Sequence, residues 1–575
     1  MSDSNPPGSA TAAEGAVQRE WTGHARRLSA AVERYAGLPA FAPLSASLAA
    51  LAAEDFAEGV RHAGAALAQD RDCALAWRLT GLCREGQGEA VSALDAYQSA
   101  YALAPADQDL LSDLGRLAMT LKLPQVAAEF FAKALALEPQ SASLASQLSA
   151  ALRDSHAYGA AAEVLRSALQ TDTGNPLLWN ALGSVVLQQG DAATALVFLD
   201  QAAALAPDWP DPVYTRAIAR LELGDFPGAQ ADCDAVLAEV RPEQRPSVTF
   251  VRAQARLAAG DLARGWVDYA ARLDPDYADA PHFACPGRPW RAEDDLSGRR
   301  LLVVGEQGLG DEIMFANMIP RVLRALGEDG RLTLAVSPRL VALFARSFPA
   351  AEVRAYQAST VDGRARIAAP EFQAPADLWA PIGALCERFA RDLPSLADPG
   401  GAVLKADPAR VAHWRAVLGA GDPRPVVGLT WKSRKTYGDR LKQYPPFEAF
   451  AGLLRLPGVR FVNLQYGDCG AELEQARAWG AALWDGSGLD LMNDIDGAAA
   501  LSAATDLVIG VGNASTNLAA ALGVPAWFIA PRAASWPRLG TDRHPWFPDT
   551  RVFAAAAFND WSDVFERLET SLRAF

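Results

Sequence analysis

A chain of 575 residues exceeds what one hydrophobic core supports and predicts roughly three or four domains. Half of its residues are apolar, and its net charge of −15 argues against a general binder of nucleic acid or of anionic membranes. Six cysteines (Cys73, Cys83, Cys233, Cys285, Cys386 and Cys469) and six histidines are scattered without a CxxC pair. That pattern indicates neither a zinc site nor a disulfide framework, and predicts a reducing, cytoplasmic setting. No apolar run reaches the roughly 18 residues that a membrane-spanning helix needs.

The N-terminus, MSDSNPPGSATAAEG, is small and polar and lacks an apolar segment. It reads as a disordered leader over 1–39 and not as a signal peptide.

A repeat array occupies the next part of the chain. Ala93, Ala127, Ala161, Ala195 and Ala229 are spaced by 34 residues. Seven positions on stand Ala100, Ala134, Ala168, Ala202 and Val236; Pro105, Pro139 and Pro207 share a further column. Period 34, small residues where two helices cross, and proline after the second helix form the tetratricopeptide (TPR) pattern. Gly88, Gly190 and Gly224 share a column and predict helix C-termini in left-handed backbone. The clear repeats run from about 74 to 243, within an α-solenoid predicted over 40–275. Such an array presents a groove for a segment of another protein. Asp232-Cys233-Asp234 matches an acid-x-acid metal pattern but sits on a repeat helix, which predicts a solvated face. In the last unit Trp266, Tyr269 and Arg272 fall on one helical face, as expected of a helix that docks the array onto the α/β half of the chain.

After a linker over 276–298 the pattern becomes α/β. Strands are predicted at 301–305, 331–336, 426–431, 460–465, 506–511 and 526–530, alternating with helices. The fold class is therefore α followed by α/β, with parallel sheets in two lobes, 299–400 and 401–575. Ligands of such sheets gather at the carboxyl ends of strands.

Three loops at strand ends carry chemistry. The first, Gly305-Glu306-Gln307-Gly308-Leu309-Gly310-Asp311, is neither a dinucleotide fingerprint nor a P-loop. Gly308 and Gly310 permit close approach to the backbone, and Asp311 reads either as a helix cap or as a functional acid. The second runs from Lys432 to Lys442 and holds five basic residues in eleven positions, including Arg434. It predicts an anion site. The third, Gly512-Asn513-Ala514-Ser515-Thr516-Asn517, opens a helix whose free N–H groups suit a phosphate, with capping by Asn513 or Ser515 as the alternative. Asp494-Ile495-Asp496 is read as a helix N-cap.

The order TPR array, EQGLGDEIMFANMIP, VGLTWKSR, FVNLQYGD, DLVIGVGNASTNLAAALGVPAWFI and HPWFP resembles the bacterial TPR-containing glycosyltransferases. The second half is similar to heptosyltransferase-like GT-B enzymes, which implies two Rossmann-type lobes with the nucleotide-sugar in the second. The resemblance implies that Asp311 is the base that deprotonates the acceptor hydroxyl. Gly512 and Asn517 stand where such relatives commonly have Asp and His, and this variant resembles the flagellin glycosyltransferases of alphaproteobacteria. Those imply transfer of a nonulosonic acid such as pseudaminic acid, from a CMP-linked donor, to Ser or Thr of flagellin. The expected site is Asp311 with Gln307, Gly308, Gly310, Lys432, Arg434, Lys442, Asn513, Ser515, Thr516 and Asn517, and it uses neither a metal nor a cofactor beyond the donor. Two other readings stand beside it: a glycan or lipopolysaccharide transferase, and a non-catalytic TPR scaffold with a degenerate second half.

Overall fold

The structure, a computed structural model, describes residues 10–361, 363–370, 375–397, 401–419, 421–433, 444–532, 535–556 and 560–575. Its repeats match the alanine comb. Antiparallel helix pairs occupy Ala74–Gly86 and Ala90–Leu103, Gln108–Thr120 and Pro124–Leu137, Ala142–Asp154 and Tyr158–Thr171, and Pro176–Gln189 and Ala192–Leu205. Ala93, Ala127, Ala161 and Ala195 are fully buried. A Cβ added at Gly81, Gly115 or Gly183 would lie 2.5 Å from Tyr97, 2.6 Å from Phe131 or 2.7 Å from Leu199, so these crossings admit no side chain. The degenerate units are also helix pairs, Phe41–Ala52 with Phe56–Gln69, and Arg245–Ala258 with Leu262–Tyr269.

The glycine column closes the first helix of each pair in left-handed backbone, with φ of 76° at Gly88, 99° at Gly190 and 81° at Gly224. The same column continues through non-glycine residues. Glu54, Lys122 and His156 have φ of 60°, 60° and 63°. The turn geometry is therefore set by the repeat, and three residues adopt it at a steric cost.

The N-terminal segment departs from its expected disorder. Ala10–Glu33 is helical. Trp21, Ala25, Leu28 and Val32 are buried, spaced 4, 3 and 4 apart along one face, and Trp21 meets Phe56 edge-on at 5.3 Å. Four apolar residues in a small, polar stretch are easily averaged away by composition, yet at helical spacing they cover the edge of the first repeat.

The chain divides into two compact units, one ending at Arg216 and one running from Ala217 to Phe575. The helices Phe226–Glu239, Arg245–Ala258 and Leu262–Tyr269 belong to the second. Asp232, expected on a solvated face, is buried there and pairs with Arg220 at 2.9 Å. Arg252 binds Asp234 and Asp268 at 2.6 and 2.8 Å. The acids serve interhelical ion pairs, a use that their local sequence does not distinguish from exposure.

The second unit holds three sheets. The strands are β1 (His282–Ala284), β2 (Arg288–Pro289), β3 (Arg300–Val304), β4 (Arg331–Val336), β5 (Ala351–Ala355), β6 (Gln357–Val361), β7 (Arg364–Ala368), β8 (Leu378–Pro381), β9 (Val426–Thr430), β10 (Arg460–Asn463), β11 (Leu483–Trp484), β12 (Leu507–Val511), β13 (Ala526–Ala530) and β14 (Thr550–Ala554). One parallel sheet has the order β2-β8-β3-β4-β5 and the other β11-β10-β9-β12-β13-β14. A small sheet, β1-β7-β6, completes the unit. All six strands expected from sequence are present. β9, β12 and most of β13 are buried runs of Val, Ile, Leu and aromatic residues, as strands covered on both faces require. Strand order reverses between β8 and β3 in the first sheet and between β9 and β12 in the second, and these reversals define where ligand crevices open.

Candidate functional site

The loop after β3 is held from beneath. Glu306 is buried and accepts hydrogen bonds from Arg272 Nη2 at 2.6 Å and from the Gly383 backbone N–H at 3.0 Å. Gly383 lies just beyond β8, so Glu306 stitches together the two strand ends that flank the reversal. Tyr269 exchanges hydrogen bonds with the Gln307 side chain at 2.9 and 3.2 Å, and Trp266 Nε1 donates to Ala390 O at 2.8 Å. The face of Trp266, Tyr269 and Arg272 thus docks onto the first sheet, as its spacing predicts.

Gln307 has φ of 67°, an uncommon backbone for a residue with a side chain. Gly308 precedes the helix Leu309–Phe315 as its N-cap, so Asp311 lies on the third helical residue and is not the N-cap. Its neighbour Glu312 points inward, accepting from Ser337 N and Tyr356 OH, each at 2.9 Å. Burial pushes the Glu312 carboxyl up to about 7, against those two hydrogen bonds, and the charge of Asp311 adds to the rise. Sequence reasoning missed Glu306 and Glu312, because an acid beside a glycine turn reads the same whether it faces in or out.

The third loop is closely tied to the second. Asn513 is the N-cap of the helix Ala514–Ala521, accepting from Thr516 N at 3.1 Å. Its Nδ2 donates to Thr430 Oγ1 at 2.7 Å and to Lys432 O at 3.1 Å. Thr516 is fully buried and its hydroxyl donates to Val511 O at 2.8 Å, so Asn513 and Thr516 build the loop itself. Ser515 is half-buried beside them. Lys432 forms an ion pair with Glu472, so its charge is already balanced within the protein. Arg434 and Lys442 lie outside the described residues.

The first and third loops meet. Asn517 Nδ2 donates to Gly310 O at 3.2 Å. A Cβ on Gly310 would stand 3.4 Å from Ala514 Cα, an ordinary contact, so the helix of the third loop packs directly beside this glycine. Beside the junction opens a cavity of about 540 Å3 lined by Asp311, Met314, Gly512 and Asn517, and by Arg532, Trp536, Arg538 and His544 from the segment after β13. Helices of the second unit reach it through Glu222 and Gln254. Its size falls within the roughly 300–1,000 Å3 of small-molecule sites. Arg532, Trp536 and Arg538 lie in a loop without a recognisable motif, and no signal in the sequence marks them.

In the first unit a smaller cavity of about 310 Å3 is lined by Ser146, Ser149, Arg153, Asn180 and Ser184 from successive first helices. Ser149 Oγ and Asn180 Oδ1 are buried there without a hydrogen-bond partner, an arrangement suited to a peptide's polar groups. Among the described residues there is no cluster of metal-ligating side chains and no helix long and apolar enough to cross a membrane. All six cysteines are free thiols.

Residues 44–108 and 152–221 match models of the tetratricopeptide repeat. Over 542 residues the chain is 42% identical to protein FlbA of Caulobacter vibrioides, covering 92% of this chain and 89% of that one. Among solved structures it is similar to a tetratricopeptide repeat protein of Parabacteroides merdae, 17% identical over 40% of this chain and 91% of that chain, with a TM-score of 0.37. It is also similar to a thermophilic TPR protein of Thermus thermophilus, 22% identical over 31% of this chain and 98% of that chain, with a TM-score of 0.28.

Proposed function

The chain belongs to the family of protein FlbA, and from that membership together with the site we propose that it is a cytoplasmic protein O-glycosyltransferase of the GT-B type. It moves an acidic sugar, a nonulosonic acid such as pseudaminic acid, from a nucleotide-activated donor to Ser or Thr of flagellin. The observation that carries the reading is the junction of Gly310 and Asn517, which brings Asp311 and the Gly512–Asn517 loop to one cavity at the strand reversals. The repeats bind the acceptor protein, and the serine- and asparagine-lined cavity of the first unit supports that role.

In this mechanism Asp311 accepts the proton of the acceptor hydroxyl as its oxygen attacks the anomeric carbon, and the nucleotide phosphate leaves. The leaving group's charge is met by the N-terminus of the helix Ala514–Ala521 and by cations of the cavity, so no metal is required. The test is sugar transfer to purified flagellin by an Asp311→Asn protein. Turnover is expected to fall about 10²–10⁴-fold, the usual worth of a general base, with donor affinity little changed. Near-normal turnover would remove Asp311 from the mechanism.

A second reading, a non-catalytic TPR scaffold, is favoured by the balanced charge of Lys432 and the inward hydrogen bonds of Asn513 and Thr516. Failure of the wild-type chain to bind any CMP-, UDP-, GDP- or ADP-sugar would select it. A transferase acting on free glycans or lipopolysaccharide would instead glycosylate a glycan acceptor in the absence of flagellin.

A further inference from the structure

The cavity beside Asp311 contains polar groups that the fold leaves unsatisfied. Arg538 is more than nine-tenths buried in its wall, and neither Nε nor Nη1 has a hydrogen-bond partner. Arg532, the other cation of the lining, lies 3.9 Å from Glu222. For Arg538 no carboxylate lies within ion-pair distance among the described residues; Asp542 contributes only its field. His544 stacks on Phe528 at 4.5 Å, and its Nδ1 is buried without a partner. Burial, and after it the charge of Arg538, holds that ring neutral, with its pKa down to about 3. Asn517 Oδ1 and Tyr444 Oη are further unsatisfied atoms of the lining, although Asn517 Nδ2 is bonded to Gly310.

A buried guanidinium with idle donors costs stability, and in a cavity wall a ligand's acceptors can offset that cost. We propose that Arg538 is the receptor for an oxyanion of the ligand that occupies this cavity, with His544 beside it and the Asn517 carbonyl oxygen accepting from a hydroxyl or amide of the same ligand. The guanidinium fork suits a phosphate or a carboxylate. In a nucleotide-linked acidic sugar either group can be the one bound. The identification of the ligand as such a donor rests on the glycosyltransferase reading, whereas the anion receptor does not.

The experiment is calorimetric titration of the full chain with sodium pyrophosphate, with CMP and with N-acetylneuraminate, for wild type, Arg538→Gln, Arg538→Lys and Arg532→Gln. Pyrophosphate and CMP without the sugar acid indicate a phosphate site, and N-acetylneuraminate alone indicates a carboxylate site. Arg538→Gln is expected to weaken the binding anion at least tenfold and to flatten its salt dependence. Arg538→Lys should restore part of the affinity, and Arg532→Gln should change it less than threefold. Ligand-free Arg538→Gln should melt at or above the wild-type temperature, since it removes an uncompensated charge. A lower melting temperature would mean that Arg538 serves the fold and would overturn the proposal. So would unchanged anion binding by Arg538→Gln, or no binding of any of the three anions by wild type. Arg538-dependent binding of pyrophosphate with no binding of any nucleotide-sugar would leave the receptor standing and remove the transferase reading.

Discussion

Asn517 reaches across 207 positions of chain to hydrogen-bond, through its side-chain amide, the main-chain carbonyl of Gly310 at 3.2 Å. This contact fastens the start of the helix after β12 to the start of the helix after β3. Asn517→Ala should lower the stability of the second unit by about 1 kcal/mol, the usual worth of one such bond, read by urea unfolding. Gly310→Ala should be tolerated, since its Cβ would stand 3.4 Å from Ala514 Cα, an ordinary contact. Gly310→Leu should cost several-fold more by forcing the two helices apart.

Glu312 ties stability to pH. Its folded carboxyl titrates at about 7, above its ordinary value of 4.5. The native state therefore holds a proton that the unfolded chain has lost, and stability is fully present below pH 4.5 and declines as pH rises through 7. Melting temperatures between pH 4.5 and 8 should show that decline. Glu312→Gln should flatten it, and a slope equal to wild type would assign the effect to other groups.

The left-handed column of the repeats offers a direct measure of backbone strain. Lys122 sits at φ 60° where Gly88, Gly190 and Gly224 occupy equivalent positions. Lys122→Gly should stabilise the first unit by about 0.5–1 kcal/mol, the left-handed cost less the extra entropy of glycine. Gly88→Ala should cost about 1–2 kcal/mol from the backbone alone, because nothing lies within 4 Å of the added methyl group. Equal stability of all three proteins in thermal melts would contradict the strain argument.

Truncation distinguishes the two ways of dividing the chain. Removing residues 1–275 deletes Trp266 and Arg272, leaving Glu306 as a buried carboxylate without its guanidinium, a loss of about 3–5 kcal/mol. Removing residues 1–216 preserves those partners and leaves the second compact unit whole. The longer deletion should aggregate or bind hydrophobic dyes, and the shorter should unfold cooperatively. A well-folded 276–575 fragment would count against the structural role of the docking helix.

Much of the architecture is legible in the chain because it is local. A 34-residue repeat places each alanine against its own neighbours, and Val-, Ile- and Leu-rich runs such as Val426–Thr430 and Leu507–Val511 declare buried strands by composition. The N-cap role of Asp494 is equally local, confirmed by its bond from Gly497 N. The helix of the N-terminal segment is hidden for the complementary reason: Trp21, Leu28 and Val32 matter by their helical phase, which composition does not weigh.

What tertiary structure alone decided is which side chains share a space. The sequence marks Asp311 and the Asn513–Asn517 loop as chemistry at strand ends, but it does not rank a cap above a base or an inward threonine above a ligand. Strand order sets β3 beside β8 and β9 beside β12, so that the loops diverge and open crevices. The same packing brings Arg538 and His544 to the cavity and leaves their polar atoms unsatisfied. Periodicity is a property of near neighbours along the chain, whereas hydrogen-bond satisfaction and charge compensation depend on groups hundreds of residues apart, and only the folded chain brings those together.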